Sequence, residues 1–412
     1  MNILIINHYA GSPDMGMEFR PYYFAREWIK MGHKVDIIAA DFSHLRRANP
    51  QVDHDFQEEV IDEIHYHWIK TGTYEGNGGK RAMTMFQFVS KLWIHAKSII
   101  AEMEPDVVIA SSTYPLDTYV GQRIRKLSKK KVKLIHEVHD MWPISPVELG
   151  GMSPKHPFIR VLQKAENSFC KNSDVVVSLL PAAKNYFIEH GMDADKFRHV
   201  PNGVVLEEWE NPQPLPENLL KTLLKVKKEG KFILCFFGSH TQSYALDYLI
   251  DAVKELEQVN LQLIFIGNGI FKEELKKQAY GYEDSILFLE PIPKACIPSV
   301  FEHIDASYVG ALDNNMFRFG ICMNKLFDSM MGGKPILYAV KAPNNYIDEY
   351  KCGISVETEN VSALKEGILQ LISLSAEDRE KLGTCGRNAV LEYFNYKFLA
   401  KQFELILKEN MK

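Results

Sequence analysis

Residues 2–40 read NILIINHYAGSPDMGMEFRPYYFAREWIKMGHKVDIIAA, and this stretch decides the fold. An apolar run at 2–7 predicts a strand, a loop with Gly11 and Gly16 follows, and 18–31 predicts a helix. Gly32 and His33 then lead into a second apolar strand at 35–40. This is a βαβ unit. Strands that are apolar on both faces and separated by helices indicate a parallel sheet covered on both sides. The same grammar recurs in PDVVIAS (105–111), VKLIHEV (132–138) and DVVVSL (174–179).

The pattern breaks once. PNGVVLEEWENPQPLPE (201–217) holds four prolines and a glycine, which interrupt regular structure. A domain linker is therefore expected there, dividing 1–205 from the second half of the chain. Strands then resume in KFILCFFG (231–238), LQLIFIG (261–267), ILFLE (286–290), ASYVGA (306–311) and KPILYA (334–339). At 412 residues the chain exceeds what one core usually serves. The expectation is α/β, two doubly wound, Rossmann-like domains whose strand ends face across a cleft, where ligands of such sheets bind.

Composition narrows the partners. A net charge of -5 argues against bulk attraction to nucleic acid. The six cysteines are scattered without a CxxC pair, so neither a zinc site nor a disulfide framework is indicated, and a reducing cytoplasm fits. The first apolar run is too short for a signal peptide, and the other runs fall well below the ~20 residues of a membrane span.

Candidate chemistry collects in loops after strands. The Gly11 to Gly16 loop brings backbone amides to a helix start, a geometry suited to an anion or a sugar, or to a plain βα turn. Glu18 and Arg20 follow, with helix capping as their simpler role. EVHDMWP (137–143) sets His139, Asp140 and Trp142 after a strand; a histidine exchanges protons near neutral pH, and a neighbouring aspartate orients it. Gly238 and Ser239 repeat the loop-to-helix geometry, and Gly267 and Gly269 (GNG) follow another strand. RFGICMNKLFDSMMGGKPI (318–336) carries Gly320, Lys325 at a helix start and Asp328 one turn on. A lysine there neutralises phosphate, and the aspartate accepts from ribose hydroxyls. KRAMTMFQFVSKLWIHAK (80–97) interleaves Lys80, Arg81, Lys91 and Lys97 with Met83, Phe86, Phe88, Leu92 and Trp93. It reads as a peripheral membrane contact or as a helix packed on its own sheet.

In order and spacing these pieces resemble glycosyltransferase family 4, the retaining enzymes of GT-B fold, and in particular their bacterial capsule and O-antigen (surface polysaccharide) branch. MGHKVDIIAA, HDMWP, HVPNGV, FFGS, FIGNG, NKLFDSMMGGKPIL and CGRNAVLEYF carry the resemblance along the whole chain. It implies metal-independent transfer from a nucleotide sugar, with a UDP-linked N-acetylhexosamine or deoxy relative as first choice and no cofactor. The acceptor is a glycan or lipid-linked saccharide, and the place is the cytoplasm or the inner face of its membrane. By resemblance 206–388 binds the donor, and 389–412 crosses back to the first domain. Gly11, Gly16, Gly238, Ser239, Gly267, Gly269, Gly320, Ile321, Lys325 and Asp328 contact the donor, and Glu18, Arg20 and Trp142 the acceptor. His139 and Asp140 act in catalysis.

Two departures stand out. The family's pair of glutamates eight residues apart falls on Gly320 and Asp328, and of the basic groups after the first strand of the donor domain only His240 is present. Two other readings share the architecture: a nucleotide-sugar epimerase, which needs no acceptor, and a non-catalytic partner subunit, which binds no nucleotide.

Overall fold

The computed structural model describes every residue except Met17, Glu18, Asn77 and 410–412. The chain forms two compact units, Met1–Pro201 together with the stretch from Tyr396, and Asn202–Asn395. The boundaries expected from sequence were 205/206 and 388/389.

The first unit is built on β1 (Asn2–Ile6), β2 (Lys34–Ala40), β3 (Gln57–Ile61), β4 (Ile64–Ile69), β5 (Val107–Ala110), β6 (Lys133–Val138), β7 (Val175–Ser178) and β8 (Phe197–His199). They lie in the order β3-β4-β2-β1-β5-β6-β7-β8. Ile3 pairs with Val35 on one side and Val107 on the other, both in parallel register. The strand order reverses between β1 and β5, so the loops after these two strands diverge and open a crevice. Each expected strand lies within a residue or two of its reading, and the helix expected at 18–31 is Phe19–Lys30.

Two features were not read. The hairpin β3–β4 is antiparallel, and its turn residues Asp62 and Glu63 have φ of 49° and 66°. The short strand β8 closes the other edge.

The second unit holds β9 (Phe232–Phe237), β10 (Leu261–Ile266), β11 (Ile286–Leu289), β12 (Ala306–Gly310), β13 (Ile336–Ala339) and β14 (Gly353–Ser355), all parallel, ordered β11-β10-β9-β12-β13-β14. Its reversal falls between β9 and β12. β14 was not read, and the proline-rich stretch contains a short helix, Leu206–Glu210. The helix expected at 243–257 is a tight turn, Gln242–Tyr244, followed by Leu246–Lys254.

The carboxyl-terminal segment is two helices rather than one, Ala376–Tyr393 and Tyr396–Lys408. The break is stabilised by Asn395, whose Nδ2 donates to Leu391 O at 2.8 Å and Val390 O at 3.2 Å, satisfying carbonyls at the helix end. Tyr396–Lys408 packs on Phe19–Lys30. Phe403 stacks edge-on against Phe24 and Trp28, at 5.3 and 5.2 Å, and Trp28 Nε1 donates to Ala400 O at 3.1 Å. Each such buried aromatic contributes about 1.5–3 kcal/mol, which explains why the last helix belongs to the first unit.

Candidate active site

In the first unit the ends of β1, β5 and β6 bring together a buried polar set. Glu137, the one acid in the apolar strand β6, is 4% exposed. Its Oε1 accepts from Arg20 Nε at 3.0 Å and Nη2 at 2.9 Å. Its Oε2 accepts from Ser111 Oγ at 2.6 Å and lies 3.1 Å from His139 Nε2. Ser111 Oγ is itself 2.9 Å from His139 Nε2. Burial alone would raise the Glu137 pKa, but the Arg20 charge and the hydrogen bonds from His139 and Ser111 outweigh it and hold the carboxyl well below the usual range.

Arg20, expected at the acceptor, is 5% exposed and also donates to Val200 O at 2.8 Å and Pro201 O at 2.7 Å. Its fork holds Glu137 and the chain at the end of the unit. Glu18 lies outside the described residues. Gly11 is buried, its carbonyl accepting from Tyr66 Oη at 2.8 Å. The Gly16 amide closes its own turn onto Pro13 O at 3.2 Å, with φ of 100°. The Gly16 amide is thus spent within its own turn.

Asp140 and Trp142 instead line a cavity of about 740 Å³ within the first unit, shared with Arg81, His44, Met85, Thr113, Leu149 and Phe158. The guanidinium of Arg81 lies over the rings of Tyr9 and Trp142, 5.4 and 5.6 Å from their centroids. The cavity is mainly apolar with convergent polar groups, the usual make-up of a small-molecule site. It sits at the carboxyl ends of the strands.

In the second unit the site forms at the reversal between β9 and β12. Lys325, at the start of the helix Asn324–Met331, turns its amine inward. Nζ lies 3.3 Å from the centroid of the Tyr244 ring and 4.2 Å from that of Phe236. It is buried and has no hydrogen-bond partner among the described residues. Burial pushes its pKa down to about 7. Gly238, with φ of 129°, leaves room beside it; a Cβ there would stand 3.0 Å from Nζ. Asp328 follows one turn later, 6% exposed, with its pKa pushed up by burial to about 6. Lys294 and Glu208, which pair at 3.3 Å, act on it with opposite signs.

The backbone amides expected beside the donor are already engaged. Gly320 N donates to Phe317 O at 2.9 Å, Ile321 N to Asn344 Oδ1 at 2.9 Å, and Gly238 N to Ile266 O at 3.0 Å. Charge for an anion therefore rests on the Lys325 side chain. Gly267 and Gly269 serve close packing: a Cβ at Gly267 would fall 2.0 Å from Gly238 O, and at Gly269 2.3 Å from His240 O. Ser239 is exposed at the tip of this loop. His240 is fully buried among Phe236, Phe265 and Phe288, and burial lowers its pKa to about 4, so it is a neutral core residue.

Comparison with known proteins respects this division. Residues 15–208 match the model of Glycosyltransferase Family 4, and residues 224–389 that of Glycosyl transferases group 1. The chain is a glycosyltransferase. It is 26% identical over 309 residues to an uncharacterized glycosyltransferase of Methanocaldococcus jannaschii, covering 74% of this chain and 75% of that one. Among solved structures it resembles a glycosyltransferase from Rickettsia africae (17% identity, TM-score 0.72, 100% and 98% of the two chains). It also resembles sucrose-phosphate synthase from Thermosynechococcus elongatus (16%, 0.71, 99% and 98%). A third is HepE of Anabaena in complex with UDP and glucose (17%, 0.66, 99% and 100%). These likenesses establish the GT-B fold.

In this glycosyltransferase the sequence reading passed over Glu137, Ser111 and Tyr244. An acid in the middle of a fully buried strand was the available signal for Glu137, because such a group persists only when paired. Tyr244 carried none, since its ring meets Lys325 only through folding.

A second cavity of about 540 Å³ lies at the amino ends of β12 and β13, bordered by Lys334, Arg379 and Arg387. Its arginines serve helix ends: Arg387 donates to Met331 O at 3.1 Å and Arg379 to Leu374 O at 2.7 Å. They are structural groups.

Proposed function

We propose that the glycosyltransferase transfers a sugar from a nucleoside diphosphate donor, UDP-linked and carrying an N-acetylhexosamine or a deoxy relative, with retention and without a metal. The acceptor is a glycan or lipid-linked saccharide of surface polysaccharide synthesis. The observation that carries this reading is the amine of Lys325, buried without a partner beside Gly238. A lone ammonium in an aromatic cup is costly unless an anion completes it. A diphosphate does so, while Asp328 one turn away accepts from ribose. HepE, of the same fold, is described in complex with UDP and glucose, which is consistent with this donor class.

Lys325 would stabilise the charge that develops on the departing diphosphate, the largest demand of such a transfer. The cavity holding Asp140, Trp142 and Arg81 would take the acceptor, and His139 would act on the reacting sugar. The helix Gly79–Ile94 supports membrane contact in part. Phe88 and Leu92 pack into the core, Arg81 turns to Tyr9, and Lys91 pairs with Asp55 at 2.8 Å. Met83, Phe86, Trp93 and Ile94 remain exposed for an interface. Among the described residues no helix is long and apolar enough to cross a membrane.

A thermal-shift screen of UDP, GDP, ADP and their sugars tests the donor. Stabilisation by UDP and its N-acetylhexosamine is expected; stabilisation by none would remove the nucleotide-sugar reading.

A further inference from the structure

The hydrogen bonds around Glu137 decide where the protons of the group lie. Its carboxylate is held ionised by Arg20 and can only accept. Ser111 has one proton and gives it to Glu137 Oε2 at 2.6 Å. The short approaches of His139 Nε2 to Glu137 Oε2, 3.1 Å, and to Ser111 Oγ, 2.9 Å, therefore need the proton on Nε2. Asn7 pins the serine from behind, its Nδ2 donating to Ser111 O at 2.7 Å.

We propose that Glu137, tied by Arg20 and Ser111, is a positioning residue that fixes the His139 ring with Nε2 protonated. The neutral ring then carries its lone pair on Nδ1, and a positive ring is supported by the Glu137 carboxylate. This rests on the reading that His139 acts on the reacting sugar. The arrangement is the histidine logic of many hydrolytic sites, in which a buried carboxylate sets tautomer and orientation without itself exchanging the proton. Among the described residues other titratable groups also act here. His136, on the same strand, is buried against Phe169 at 3.8 Å and kept neutral, its pKa lowered to about 3 by burial. Asp140 adjoins in the chain, Arg81 acts on Asp140, and Arg20 reaches in from the helix Phe19–Lys30.

The test has an activity-independent arm and a kinetic arm. In protein carrying ¹⁵N-histidine, the ring nitrogens of His139, assigned by loss in His139→Asn, should report protonated Nε2. Glu137→Gln, which keeps the size of the side chain, should give a mixture of tautomers and a displaced titration. Ser111→Ala removes one arm without touching the ion pair and should shift the ring in the same sense, so the test survives if the glutamine variant folds poorly. A wild-type ring protonated on Nδ1 alone, or a spectrum unmoved in both variants, overturns the proposal.

For transfer, Glu137→Gln should lower kcat roughly 10- to 100-fold, as outer groups that orient a histidine do, with nucleotide Kd unchanged. The same change made on top of His139→Asn should cost nothing further. An equal loss in both backgrounds means a structural role and also overturns it. If the wild type transfers nothing, the functional reading fails while the ring spectra still decide the tautomer.

Discussion

The two units place charge at the ends of their sheets in opposite ways. Around Glu137 every charge is answered within the protein: Arg20 meets the carboxylate at 2.9 Å with both side chains 5% exposed, and Ser111 and His139 complete it. Around Lys325 the charge is left open, an amine resting on Tyr244 with no hydrogen-bond acceptor among the described residues. A satisfied network is rigid and fixes a geometry, whereas an unsatisfied ion is a cost the fold bears until a ligand relieves it. On the proposed function, the closed group of the first unit would orient a reacting ring and the open charge of the second would bind the donor. The contrast predicts that substitutions in one will fall on turnover and in the other on affinity.

The largest effect should come from His139→Ala. Removing a positioned acid–base or charge-stabilising ring should lower kcat ~10²–10⁴-fold while leaving the Kd for nucleoside diphosphate as it was. Calorimetric titration of UDP beside initial-rate kinetics separates the two. A matching loss of affinity would erase the distinction between the units.

Next stands Lys325→Met, which keeps the length of the side chain and removes the charge. A hydrogen bond to a charged group is worth about 1.5–3 kcal/mol, so nucleotide affinity should fall roughly 10- to 100-fold. The unliganded protein should move the other way. Folding holds this amine at a pKa of about 7, below the ordinary lysine value. Above that pH the folded state binds fewer protons than the unfolded one, so wild-type stability rises with pH from about 7 toward the lysine range. Below it the penalty is fully present, and Lys325→Met should raise the melting temperature of the ligand-free protein there. Such a rise together with weaker binding marks a functional charge; a fall would show that Lys325 supports the fold.

The legibility of these features follows the same division. Strands such as FILCFF at Phe232–Phe237 were readable because parallel strands buried on both faces are continuous apolar runs. The hairpin β3–β4 was not: QEEVI at Gln57–Ile61 is an edge strand with exposed glutamates, and its turn uses Asp62 and Glu63 at positive φ without a glycine. Lys325 and Asp328 could be read because their spacing of three on one helix is local. Arg20 could not, because its partner Glu137 lies 117 residues away, and sequence alone shows a cation near a loop rather than a completed ion pair. The glycines at 267 and 269 were read as ligand contacts, but their physical demand is the approach of two backbones.

The smallest effect, and the sharpest on the open site, is its pH window. Asp328 is held at about 6 and Lys325 at about 7. An aspartate whose pKa is raised stays protonated up to that value and cannot accept from both ribose hydroxyls below it. A lysine whose pKa is lowered loses its charge above its own value and with it the attraction for phosphate. Donor binding to the free enzyme should therefore be strongest between about pH 6 and 7, falling by up to about tenfold per unit on either side. Asp328→Asn should flatten only the acid limb and Lys325→Met only the alkaline one. His139→Ala should leave both limbs in place, since the proposed function gives the closed network of the first unit no part in holding the nucleotide. A titration of UDP affinity in which the histidine variant changed either limb would couple the closed network to the open charge and end the division of labour between them.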